Sequence, residues 1–71
     1  MIMNYKDEMT KNIAHFIKSS PKPQKQIAEE LGVSISTITE YITGRARPLL
    51  LDFAKFCQVL DCRYEDILGE L

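Results

Sequence analysis

Apolar positions along this chain recur at spacings of three and four and never alternate over the length of a strand, which predicts helices throughout. The first is expected over 5–18, where Met9, Ile13, Phe16 and Ile17 fall on one face. Ser19-Ser20-Pro21-Lys22-Pro23 ends it, because neither proline extends a helix and each drives its predecessor to extended geometry. A short second helix over 24–31 turns Ile27, Ala28 and Leu31 inward. Gly32 follows where a left-handed C-terminal cap favours a residue without Cβ, and Val33 supplies an apolar plug. Ser34 suits an N-cap, since its hydroxyl accepts from an otherwise free amide. It opens a third helix over 34–42 held down by Ile38, Tyr41 and Ile42.

Residues 43–48 read as a loop, with a glycine stop and then a proline that suits a helix start. The fourth helix, over 49–60, has Leu50, Phe53, Ala54, Phe56, Cys57 and Leu60 as its apolar set. Asp61 makes the turn into a fifth helix over 63–68, with Ile67 and Leu68 buried and Asp66 near its polar side. The expected fold is all-α, a compact five-helix domain spanning 1–71 with its core at about 6–68. At 71 residues there is room for one such core and little surplus stability.

Composition narrows the function classes. The chain is 45% hydrophobic and 27% charged, the balance of a soluble globular protein. No apolar run approaches the ~18 residues of a membrane span. Residues 1–9 carry Lys6, Asp7 and Glu8 with no apolar core of a signal peptide, so a cytoplasmic protein is expected. Cys57 and Cys62 are too few for a disulfide scaffold, and the single histidine, His15, lies far off in sequence. Both thiols therefore read as small buried hydrophobes, His15 as a partly buried structural side chain, and no metal or other cofactor is expected. Tyr5, Tyr41 and Tyr64 read as packing residues. With no nucleophile–base arrangement, glycine-rich phosphate loop or paired carboxylates in an apolar setting, no enzyme is expected.

The net charge of −1 weighs mildly against a nucleic-acid ligand, but its distribution matters more. Residues 1–17 are neutral in sum, residues 18–48 carry net +2, and residues 49–71 carry net −3. The basic middle contains the most informative stretch, residues 24–43: a short helix, a tight turn at Gly32-Val33-Ser34, and a second helix. Ala28 is small where two steeply crossing helices must approach, while Ile38 and Tyr41 anchor the second helix from one face. The other face is left with Ile35, Ser36, Thr39 and Glu40, mostly short polar side chains of a size to enter a major groove.

The stretch QKQIAEELGVSISTITEYITGRARP over 24–48, continued by LDCRYEDIL over 60–68, resembles the Cro/CI-type, lambda-repressor-like (XRE) helix-turn-helix family. The likeness covers about residues 6–68, and the Gly-Arg-x-Arg-Pro loop with the closing Asp-Ile-Leu helix makes it specific. It implies a transcriptional regulator, a repressor by expectation, with the third helix in the major groove of double-stranded DNA. It places Ile35, Ser36, Thr39 and Glu40 at bases, and Gln24, Lys25, Ser34, Thr37, Thr43, Arg45 and Arg47 at phosphates. Helix N-termini and forked arginines suit those phosphate roles.

The chain departs from the family at several positions. Ile35 stands where glutamine is common and cannot hydrogen-bond, so a thymine methyl is its expected partner. Glu40 stands where a basic or amide residue is frequent, and either accepts from a cytosine amine or simply repels phosphate. Leu49 and Arg63 replace small N-cap residues, at a cost of ~1 kcal/mol each, which suggests that Leu49 is covered. With few base contacts per protomer, a homodimer on a palindromic operator is expected, its half-site centres about 34 Å apart. No oligomerisation domain is expected beyond Leu71, so the dimer contacts are expected among Ile2, Met3, Leu49, Leu51 and Leu71. No small-molecule effector and no membrane partner is expected. The acidic end and the weakly polar third helix also fit a protein-interaction module, such as a helix-turn-helix antitoxin or anti-regulator.

Overall fold

The structure is a computed structural model that describes residues 5–69, with the backbone alone for Tyr5 and Lys6. Five helices follow one another: α1 (Tyr5–Ser19), α2 (Gln24–Leu31), α3 (Ile35–Thr43), α4 (Leu50–Leu60) and α5 (Tyr64–Leu68). The described residues contain no strand, in agreement with the all-α expectation. Boundaries differ from the sequence reading by one residue in places, for a physical reason: Ser34, Leu49 and Arg63 have extended backbone and are N-caps, not first helical residues.

Every helix contributes to one core. Ile13 and Ile17 from α1 meet Ile27 and Ala28 from α2, Ile38 and Tyr41 from α3, Phe56, Cys57 and Leu60 from α4, and Ile67 from α5. Six of these side chains, Phe56 and five isoleucines, are below 2% exposed, each worth about 1.5–3 kcal/mol of burial. Tyr41 meets Phe56 edge to face at 6.2 Å, which ties α3 to α4. Helix α1 packs on α3 and α5, and α2 packs on α3 and α4. The second and third helices are thus braced from both sides while the rest of α3's surface stays open.

Three helices end alike. Gly32, Gly44 and Asp61 all have positive φ, at 74°, 82° and 53°. After α2, the Val33 amide donates to the Ala28 carbonyl at 2.9 Å and the Gly32 amide to Glu29 at 3.2 Å, the paired bonds of a Schellman motif. After α3, the Arg45 amide donates to Glu40 at 2.9 Å. At Gly44 an added Cβ would meet Thr10 Cγ2 at 2.9 Å, so glycine here serves both the turn and the close approach of α1.

Several sequence expectations are corrected. Leu50 and Ala54 were assigned to α4's apolar set, yet Leu50 is 86% exposed and Ala54 is exposed too. Leu49, Leu50 and Leu51 are consecutive at about 100° per residue, so α4 cannot turn all three inward. Leu49 is 70% exposed, as its place among the exposed apolar candidates implied, and nothing within the described chain covers it. Leu68, expected to be buried, is half-buried at the last position of a one-turn helix. His15 is exposed with its ring edge-on to Phe16, not partly buried. Tyr5's side chain, Ile2, Met3 and Leu71 lie outside the described residues.

Arg63 lacks a side chain that can accept from the first turn of α5. Its own amide is satisfied in return by Asp66 Oδ2 at 2.9 Å, which leaves half of a capping box.

Candidate nucleic-acid interface

The third helix is divided cleanly between its two sides. Ile38 and Tyr41 are buried, Thr37 and Ile42 are half-buried, and Ile35, Ser36, Thr39, Glu40 and Thr43 are exposed. Spacings of one, four and five place the exposed set along one side of the rod. Ile35 is 51% exposed, an unusual state for a large β-branched residue on a helix with a core available.

Hydrogen bonding fixes what this face offers. Ser34 Oγ accepts from the Thr37 amide at 3.2 Å and lies 3.1 Å from Thr37 Oγ1, so the cap and the first turn are held together. Thr39 Oγ1 donates back to the Ile35 carbonyl at 3.4 Å, and Thr43 Oγ1 donates to Glu40 at 3.2 Å. Both threonines therefore spend their protons inside the helix and present lone pairs and methyl groups outward. Thr39 and Glu40 offer acceptors, the Ser36 hydroxyl is free to donate or accept, and the aliphatic surface of Ile35 borders them. This face carries no cation.

Cations border it instead. Beyond Gly44 the chain alternates: Arg45 and Arg47 are exposed, Ala46 and Pro48 half-buried. Ala46 packs on the core, and its amide donates to Glu40 at 3.2 Å. Among the described residues neither arginine pairs with a carboxylate.

At the start of α2, Pro23 provides no side-chain cap. The first amide there to find a backbone partner is that of Ile27, on Pro23, so the turn beginning at Gln24 and Lys25 keeps donors for an anion. Gln24 and Lys25 are exposed. Of the residues named for phosphate contact, Thr37 is the exception: it is half-buried and engaged with Ser34.

Lys22 does a different job. Its Nζ sits 3.0 Å from Glu30 Oε1 and donates to the Val59 carbonyl at 2.8 Å, which clamps the α1–α2 loop to the end of α4. The hydrogen bond from Lys22 holds the exposed Glu30 carboxyl below its ordinary value. Sequence reading counted Lys22 within the basic middle, but this charge is already engaged.

At the start of α4, Leu49 and Leu51 are exposed as the sequence reading had them, and what it missed is the exposed Leu50 with the apolar groove beside it. Leu50 borders a groove of about 400 Å³ lined also by Met9, Pro48, Phe53, Tyr64 and Leu68. Tyr64 stacks on Phe53 at 5.2 Å and remains 49% exposed. Three consecutive leucines at a helix start were the available signal.

No helix among the described residues is long and apolar enough to cross a membrane. No curated protein and no solved structure matches the chain. The helix-turn-helix family model matches residues 22–67, which takes in α2, the Gly32 turn, α3, the arginine loop, α4 and most of α5. The five-helix arrangement is that of a lambda-repressor-like domain. The chain belongs to the Cro/CI-like, XRE-type family of DNA-binding helix-turn-helix regulators.

Proposed function

We propose that this protein binds a specific double-stranded DNA sequence as a small cytoplasmic transcriptional repressor, with α3 in the major groove. The observation that carries the reading is the outward row of Ile35, Ser36, Thr39 and Glu40 beside a loop in which Arg45 and Arg47 are both exposed. Gln24, Lys25, Arg45 and Arg47 hold the phosphate backbone and set the register, Ser34, Thr37 and Thr43 join them where their hydroxyls rotate away from their partners within the helix, and the α3 row reads the bases. Because that row offers two acceptors, one serine hydroxyl and a methyl-rich edge, it suits cytosine or adenine amines and thymine methyls, and Ser36 alone in it can donate to a guanine. Residues 1–71 act as one domain, and repression follows from occupying the site.

Affinity comes from a second copy. The Leu49–Leu51 ridge and the groove lined by Met9, Phe53, Tyr64 and Leu68 lie together at the start of α4, so a twofold contact uses both ridge and groove twice. Such a dimer meets a palindrome with half-site centres about 34 Å apart.

Binding to random-sequence DNA, followed by selection, tests the reading. A protomer neutralising about four phosphates gives log K against log salt a slope near ~−3.6. The exposed leucines also favour a second reading, a module whose main partner is another protein. In that case DNA binding at ~0.15 M salt is negligible and no sequence is enriched.

A further inference from the structure

The turn that closes α4 brings together two groups that the DNA-binding reading leaves unused. Asp61 takes the left-handed conformation (φ 53°, ψ 52°). The Cys62 amide then donates to the Cys57 carbonyl at 3.0 Å, and the Asp61 amide to Gln58 at 3.4 Å. These are the same two closures that follow α2, where Val33 rests near Ala28. In a Schellman motif the residues joined by the longer closure lean their side chains on each other. Here both side chains are thiols, and both are free. Cys57 is buried and Cys62 half-buried, at a shallow groove of about 450 Å³ lined also by Ala54, Gln58, Arg63 and Tyr64.

We propose that Cys57 and Cys62 form a two-point capture site for a soft trivalent centre, the class represented by an organic arsenical oxide. Two As–S bonds form, the two S–H bonds and the As=O bond break, and both protons leave with the oxygen as water. Arsenic stays trivalent and no electron is transferred, so no oxidant is needed.

The surroundings of the pair favour this chemistry over the alternatives. Burial, with the partner thiol and the carboxylates of Asp66 and Asp61 adding to it, pushes the Cys62 thiol up to about 12; burial raises Cys57 as well. At neutral pH such a thiol is ionised in about one molecule in 10⁵, which makes direct attack on peroxides or alkylating agents slow. The arsenical oxygen is itself the acceptor for both thiol protons. Among the described residues no group of three or more His, Cys, Asp or Glu converges on a common point, so the closed four-ligand shell of structural zinc is not on offer.

Phenylarsine oxide and the folded full-length chain provide the test. The expected result is one arsenical per chain by native mass spectrometry and a raised Tm, because a ligand of the folded state stabilises it. The adduct is stripped by 2,3-dimercaptopropanol. Cys62→Ser and Cys57→Ala should each weaken capture by about 10²–10⁴-fold, the loss expected when two-point attachment becomes one-point. Cys62→Ser alters a half-buried site and keeps the comparison available should Cys57→Ala fold poorly. An unchanged or lowered Tm in the parent chain, or capture by Cys62→Ser equal to the parent's, overturns the proposal.

Discussion

Ser34 and Gly44 bear the tightest local constraints on the reading head. Ser34 satisfies the Thr37 amide and touches its hydroxyl, so Ser34→Ala should lower stability by about 1 kcal/mol in denaturant unfolding. Gly44→Ala meets two penalties, the positive φ and the 2.9 Å approach to Thr10. Gly32→Ala meets only the first, since nothing lies within 4 Å of its added Cβ. The expected costs are about 1 kcal/mol for Gly32→Ala and about 2–3 kcal/mol for Gly44→Ala; equal losses would contradict the Thr10 contact.

Cys62 adds a pH dependence. Its folded value of about 12 exceeds the ordinary 9.0, so the unfolded chain ionises first as pH rises. The stabilisation is complete below pH 9.0 and is lost between 9.0 and about 12. Tyr41, raised by burial and by the charges of Asp52 and Glu40, acts in the same direction above its ordinary 10.0. Alkaline unfolding curves should therefore fall from pH 9, and less steeply in Cys62→Ser.

Among the elements, the proposed function divides the labour of binding between α3 and the loop after it. Arg45→Ala removes a phosphate contact and should weaken binding to all sequences alike while flattening the salt slope by about one. Ile35→Ala or Ser36→Ala should instead change which sequence is preferred, at ~1–3 kcal/mol per lost base contact. The helices were legible because their caps and stripes agree: Gly32 and Ser34 frame the turn while Ile27, Ala28, Ile38 and Tyr41 mark its inner faces. The exposure of the α3 row followed from the same periodicity. What periodicity could not assign was direction where apolar residues crowd. Leu50 and Ala54 satisfied the pattern of α4, but Leu49–Leu51 sweep too wide an arc for one face. Lys22 was equally opaque, since its partners Glu30 and Val59 are brought to it only by the packing of α2 on α4.

At the scale of the molecule, charge and apolar surface are separated. The net +2 of residues 18–48 comes from Lys18, Lys22 and the arginine loop, which outweigh a net −1 on each of α2 and α3, while residues 49–71 carry net −3. The exposed leucines stand at the start of α4, next to the arginine loop, and are the surface proposed above for a second copy. Leu51→Glu should shift sedimentation from dimer toward monomer at unchanged helical content, and weaken operator binding with it. The central claim is that α3 reads sequence, and selection of binding sites from random DNA by the parent and Ile35→Ala chains tests it most directly. The account predicts a palindromic consensus for the parent, with half-site centres about 34 Å apart, and an altered preference at a thymine-bearing position for Ile35→Ala. Identical profiles for the two chains, or no enriched sequence at all, would contradict it.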